Sequence, residues 1–228
     1  MKLSISMTRR QTLLGWSYLL LSMFVLPTVL VAANLLLEKP LSETVINLIY
    51  FALNFLVIAV IFRRFLLDSV KAAQAAPWRC LQFTVLGLAL YFVAMNLLSR
   101  GILLIDPDFS NVNDQSIAQL TQEHYPLMVL ATVFLVPVTE ETLYRGLLFQ
   151  GLQRKNRLLA YLLSVFVFAG IHIMSYIGMF DFLTLLLCFA QYLPAGIFLA
   201  WAYERSDTIV TPMLMHIVIN LIGIAAMR

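Results

Sequence analysis

Apolar residues fill most of this chain in seven long runs, at residues 12–37, 41–62, 78–105, 126–150, 158–177, 182–203 and 208–227, with most of the charged residues in the stretches between them or at their ends. Each run reaches about 20 residues or more, the length an α-helix needs to cross roughly 30 Å of hydrocarbon. The pattern predicts an all-α fold, a polytopic transmembrane helical bundle of about seven spans. The first run contains Val31-Ala32-Ala33, which resembles a signal-peptidase site, but its apolar core is longer than a signal segment, so a retained helix is expected. The longest polar interruption is 106–125, where Asp106-Pro107-Asp108, Asn111, Asn113 and Asp114 read as turn or cap material around a short surface helix. It divides the chain into an N-terminal three-span region, 1–105, and a four-span core, 126–228. There is no internal repeat or low-complexity segment.

Composition agrees with lipid as the main solvent. Hydrophobic residues make up 61% and charged residues 12%, against about 45–50% and 25% in soluble domains. Mean hydropathy is +0.89. The net charge of +3 is small, and the basic residues form no stripe of the kind nucleic acid requires. Cys80 and Cys188 have no metal-type spacing and imply no disulfide framework. Lys and Arg divide unevenly between the two sides: Lys2, Arg9, Arg10, Arg63, Arg64, Lys71, Arg79, Arg154, Lys155, Arg157 and Arg205 face Lys39, Arg100 and Arg228. The positive-inside bias puts the N-terminus in the cytoplasm, the 106–125 loop outside the cytoplasm and, after seven spans, the C-terminus outside as well. In a bacterium the host membrane is the plasma membrane.

Five acidic, basic or imidazole side chains fall near mid-bilayer, away from the ends of the runs: Glu140, Glu141, Arg145, His172 and His216. Charges inside a bilayer are costly and mark function by default. Glu141 and Arg145 are four apart, acid before base, and suit an ion pair that fixes helix packing. Glu140 points about 100° around the helix from Glu141, and one guanidinium cannot fully neutralise two carboxylates. The incompletely partnered glutamate is suited to take up a proton as a general base. Pro137, one turn earlier, is placed to kink this helix and admit water.

Depth ties the helices together. Measured from the cytoplasmic helix ends at 1.5 Å per residue, Glu140 lies at ~20 Å, Arg145 at ~12 Å, His172 at ~21 Å, His216 at ~12 Å and Asn220 at ~18 Å, a layer about 10 Å thick. His216 and Asn220 are one turn apart on one face, as two donors to a developing oxyanion would be. They are equally suited to hydrogen-bonding a neighbouring helix. His172 follows Phe168-Ala169-Gly170-Ile171, where Phe168 shares its face and the small residues permit close helix approach. Beside Glu140, His172 would help bind and polarise water.

The segments Glu140-Glu141-Thr142-Leu143-Tyr144-Arg145 (EExxxR), Phe168 to His172 (FxxxH) and His216 to Asn220 (HxxxN) resemble, in order, the motifs of the CAAX-protease and bacteriocin-processing family of intramembrane proteases, also called the Abi family. The resemblance covers about the last hundred residues. It implies an intramembrane endopeptidase of the glutamic type with no cofactor, in which Glu140 and His172 activate water, His216 and Asn220 form the oxyanion site, and Glu141, Arg145 and Phe168 support them. Members trim prenylated C-terminal tails, or are bacterial proteins linked to peptide processing, bacteriocin self-immunity or surface-protein regulation. The implied partners are the bilayer and a peptide or membrane-protein substrate.

Two other readings fit the same residues. Zn²⁺ held by His172, His216 and Glu140 would make a metalloprotease, although there is no HExxH motif. A scaffold, immunity factor or small transporter could instead use the charges to maintain a polar cavity. Substrate and oligomeric state have no signature in the chain.

Overall fold

The structure, a computed structural model, describes residues 3–226. Lys2, Met227 and Arg228, which entered the charge count and the seventh run, lie outside the described residues. The described chain forms a bundle of helices: α1 (Arg9–Leu35), α2 (Glu43–Ile61), α3 (Arg63–Ala75), α4 (Pro77–Ile105), α5 (Val112–Glu123), α6 (Tyr125–Gln153), α7 (Arg157–Met174), α8 (Phe182–Ser206) and α9 (Val210–Ala226). Six of these are long and apolar enough to cross a membrane, and the 17-residue α9 is a shorter apolar helix. The chain is an integral, multi-pass membrane protein. Large apolar side chains such as Leu104, Leu97, Val60 and Phe182 face outward, as expected where the solvent is lipid.

Polar side chains fix where the helices start. Thr8 and Gln11 form a reciprocal capping box on α1, and Ser42, Asn111, Asn156 and Asp181 cap α2, α5, α7 and α8. The basic stretch after the second span is the helix α3 and not a loop. Its Phe65 and Ser69 are buried, while Arg64, Asp68 and Lys71 form exposed pairs. Gly146 of α6 makes room for Phe65, since a Cβ there would lie 2.9 Å from the Phe65 ring.

The core runs through α6, α7 and α8. Gly196 sits so close to α7 that a Cβ would come within 3.2 Å of the Val165 backbone. Of the two small residues beside His172, Ala169 is fully buried while Gly170 faces open space, so only Ala169 serves close packing. The sixth run ends beyond Tyr203: α8 continues through Glu204, whose buried carboxylate accepts from Arg157 at 2.7 and 2.8 Å, Tyr161 at 2.7 Å and Gln153 at 2.9 Å. This network ties the α6–α7 turn to the end of α8.

Two helices loosen ahead of a proline. In α1 the turn Leu21–Val25 and in α6 the turn Ala131–Leu135 adopt the wider π form. Leu26 N–H reaches back five residues to Leu21 O, and Val136 N–H to Ala131 O. The next donors in line would be Pro27 and Pro137, which have no N–H. The carbonyls of Ser22 and Thr132 are therefore released, and each is taken by a side chain from another helix: Tyr50 of α2 at 3.1 Å and Asn220 of α9 at 2.7 Å. The distortion expected at Pro137 is thus a π turn that stitches α6 to α9.

Candidate active site

Both looser turns face one cavity of about 730 Å³. Glu140, His172, His216 and Asn220 all line it, with Phe168 and Tyr144 beside them. The glutamates lie where α6 passes into a second π segment, Glu141–Phe149, a rare geometry found mostly at functional sites.

Glu141 and Arg145 do not line the cavity; they lie beneath Glu140 in the bundle and are fully buried. Arg145 Nη1 donates to Glu141 Oε1 at 3.1 Å and Nη2 to the Gly196 carbonyl at 3.4 Å. The guanidinium lies over the Phe168 ring, 4.2 Å from its centroid. This gives the aromatic of FxxxH a physical role: Phe168 carries the arginine on one side and meets His172 and His216 with centroids at 4.8 and 6.0 Å.

Glu141 Oε1 also accepts from His216 Nδ1 at 2.8 Å. Because Glu141 is ion-paired with Arg145, the hydrogen-bond network assigns the proton to Nδ1. His216 Nε2 is then turned to Glu140, 3.9 Å from its Oε2. Glu140 differs from its neighbour in keeping 17% of its side-chain surface open where Glu141 keeps none; the Oε2 atoms of both are buried with no hydrogen-bond partner among the described residues. A buried carboxylate oxygen left unpaired calls for an explanation.

The remaining donors have fixed orientations. His172 stands in the last turn of α7, and its Nδ1 is bound to the Phe168 carbonyl at 2.7 Å. A carbonyl only accepts, so Nδ1 carries hydrogen and neutral His172 presents the Nε2 lone pair. Asn220 commits one N–H to Thr132 O, leaving it one more to offer. His172, His216 and Glu140, the set a zinc ion would need, form no ligand cluster among the described residues.

The cavity also has walls that no motif indicated. From the N-terminal spans come Tyr50 and Asn54, and from the polar interruption come Asn111, Asn113 and Asp114 of the α5 region, facing Gln191 and Tyr192 of α8. Asp114 lies outside the spans, and burial pushes its carboxyl above the ordinary value, opposed by the hydrogen bond from Tyr192 and by His172.

Residues 122–222 match the model of a family described as type II CAAX prenyl endopeptidase, Rce1-like. The matched segment runs from the end of α5 into α9 and holds all three motifs. The resemblance drawn from EExxxR, FxxxH and HxxxN is thereby a family match over this part of the chain, and the family is one of proteases. No curated protein and no solved structure matches the chain.

Proposed function

We propose that this chain, whose motif-bearing segment is that of a CAAX-endopeptidase family, is an intramembrane endopeptidase that uses Glu140 as its base and needs no metal. The observation that carries the reading is that Glu140, partly open and with an unpaired Oε2, lines the cavity walled by His172, His216 and Asn220. Glu141 does not compete for the role, because it is fully buried away from the cavity lining and its Oε1 is held by Arg145 and His216.

The chemistry follows from these positions. Water held between Glu140 and the His172 Nε2 lone pair attacks the scissile carbonyl carbon while Glu140 takes its proton. The oxyanion that forms accepts hydrogen bonds from the uncommitted Asn220 N–H and from His216 Nε2. The His216 role requires an imidazolium, since Nδ1–H is spent on Glu141, and the flanking carboxylates match that charge. Collapse of the intermediate breaks the C–N bond, and the proton on Glu140 passes to the leaving nitrogen, giving a carboxylate and an amine. The substrate is a membrane-associated peptide or protein, and the family description makes a peptide with a prenylated tail the first to try. By charge bias the N-terminus is cytoplasmic.

The test compares Glu140→Gln and Glu140→Ala with wild type in purified, folded form. Cleavage of a reporter peptide should fall at least ~100-fold in both, with accumulation in the membrane unchanged. Chelators should leave wild-type activity intact. Retained cleavage in either stably folded variant refutes the catalytic assignment, and chelator inhibition with zinc-specific rescue refutes the metal-free mechanism.

A further inference from the structure

We infer that Tyr192 is a positioning residue for His172, held in that role by the polar helix α5; this rests on the proposed use of His172 to orient the attacking water. The two rings are stacked, with centroids 4.1 Å apart and planes 21° from parallel. Phe168 meets the same imidazole at 4.8 Å, and Nδ1 is tethered to the Phe168 carbonyl. With one nitrogen tethered and the ring held by two aromatics, His172 cannot turn without losing the tether or the stack. Nε2 is thereby aimed in a fixed direction.

The phenol end of Tyr192 is the hub of a second set of bonds. It accepts from Asn113 Nδ2 at 2.9 Å, and its one hydrogen is shared between Asp114 Oδ1 at 3.2 Å and Asn111 Oδ1 at 3.4 Å. Asn111 Nδ2 also donates to Gln191 at 2.7 Å, one residue before Tyr192. All three partners belong to the cap and first turn of α5, outside the spans. The bonds from α5 to Tyr192 therefore converge on a single hydroxyl. Positioning to within a fraction of an ångström matters because a misplacement of about 1 Å can slow a reaction on the order of 100-fold.

The experiment uses the full chain in nanodiscs, with its histidine rings isotope-labelled. His172 should show an upfield ring shift that Tyr192→Phe keeps and Tyr192→Leu removes. In reporter cleavage, Tyr192→Leu should lower kcat roughly 10- to 100-fold with KM little changed. The double change Asn113→Ala/Asp114→Ala should lower kcat in the wild-type background and clearly less in the Tyr192→Phe background, since the hydroxyl is where their bonds to Tyr192 converge. Unchanged kcat in Tyr192→Leu, or an equal loss in both backgrounds of the cycle, overturns the inference. The cycle needs only the conservative Phe variant, so it decides the matter even where Tyr192→Leu fails to fold. Failure of the protease reading itself would appear separately, as normal cleavage by Glu140→Gln, with the ring shifts still reporting the stack.

Discussion

Replacing Arg145 by Met removes the permanent positive charge buried against Glu141 while keeping an unbranched side chain that can lie on Phe168. The arginine is fully buried, as is Glu141, so no water takes over the lost contacts at 3.1 Å to Glu141 and 3.4 Å to Gly196 O. Breaking a buried ion pair by removing one partner costs about 3–5 kcal/mol, because the other charge stays behind uncompensated. The lost cation–π contact, worth about 2 kcal/mol when desolvated, is partly replaced by sulfur on the ring, so we keep the lower range. The folding equilibrium should therefore fall by roughly two to three and a half powers of ten. Reversible unfolding in mixed micelles, followed by tryptophan fluorescence, measures this. If the cause is the stranded charge and not the lost volume, Glu141→Gln/Arg145→Met must be more stable than Arg145→Met alone, with a coupling of about 1–3 kcal/mol. An Arg145→Met protein within about 1 kcal/mol of wild type, or a double variant no better than the single, would refute the argument.

Two further outcomes follow from the helices around the site. Asn220→Ala should destabilise by about 1–3 kcal/mol by stranding Thr132 O; Pro137→Ala returns an N–H to that carbonyl, so the same Asn220 change should have a clearly smaller effect there, and additive effects would sink the π-turn explanation. Burial holds the Asp114 carboxyl above 3.8, so folded α5 binds that proton more tightly than the unfolded chain does. The resulting stability is present below about 3.8 and lost as pH rises through the folded value, so hydrogen-exchange protection factors in α5 should fall over that window and Asp114→Asn should abolish the trend; protection that rises with pH contradicts the assignment.

The spans were legible because bilayer thickness sets a length that composition alone reveals. Helices that depend on distant partners were not. Arg63–Ala75 reads as a basic loop until Phe65 is seen beneath Gly146, and α8 extends to Ser206 because Glu204 finds donors on α6 and α7. The π turns are invisible for a related reason. A proline announces a missing N–H, but not which side chain, 28 or 88 residues away, will take the released carbonyl.

The ionic part of the site was legible for the opposite reason: lipid penalises charge so heavily that each intramembrane carboxylate or imidazole stands out. The local pair Glu141–Arg145 followed from spacing. The bond from His216 to Glu141, 75 residues away, did not, and it makes Glu141 the partner that orients His216 as well as the partner of Arg145. Tyr192 raised no alarm because tyrosine is common in spans, and Asn111, Asn113 and Asp114 read as ordinary turn residues. One signal was available. Gln191 lies in the middle of the apolar run 182–203, where a primary amide needs a partner as surely as a charge does. In the structure Asn111 is the residue that meets it. Gln191 thus marks this turn of α8 as polar from sequence alone, while the partners on α5 and the stack of Tyr192 on His172 depend on contacts 80 and 20 residues away.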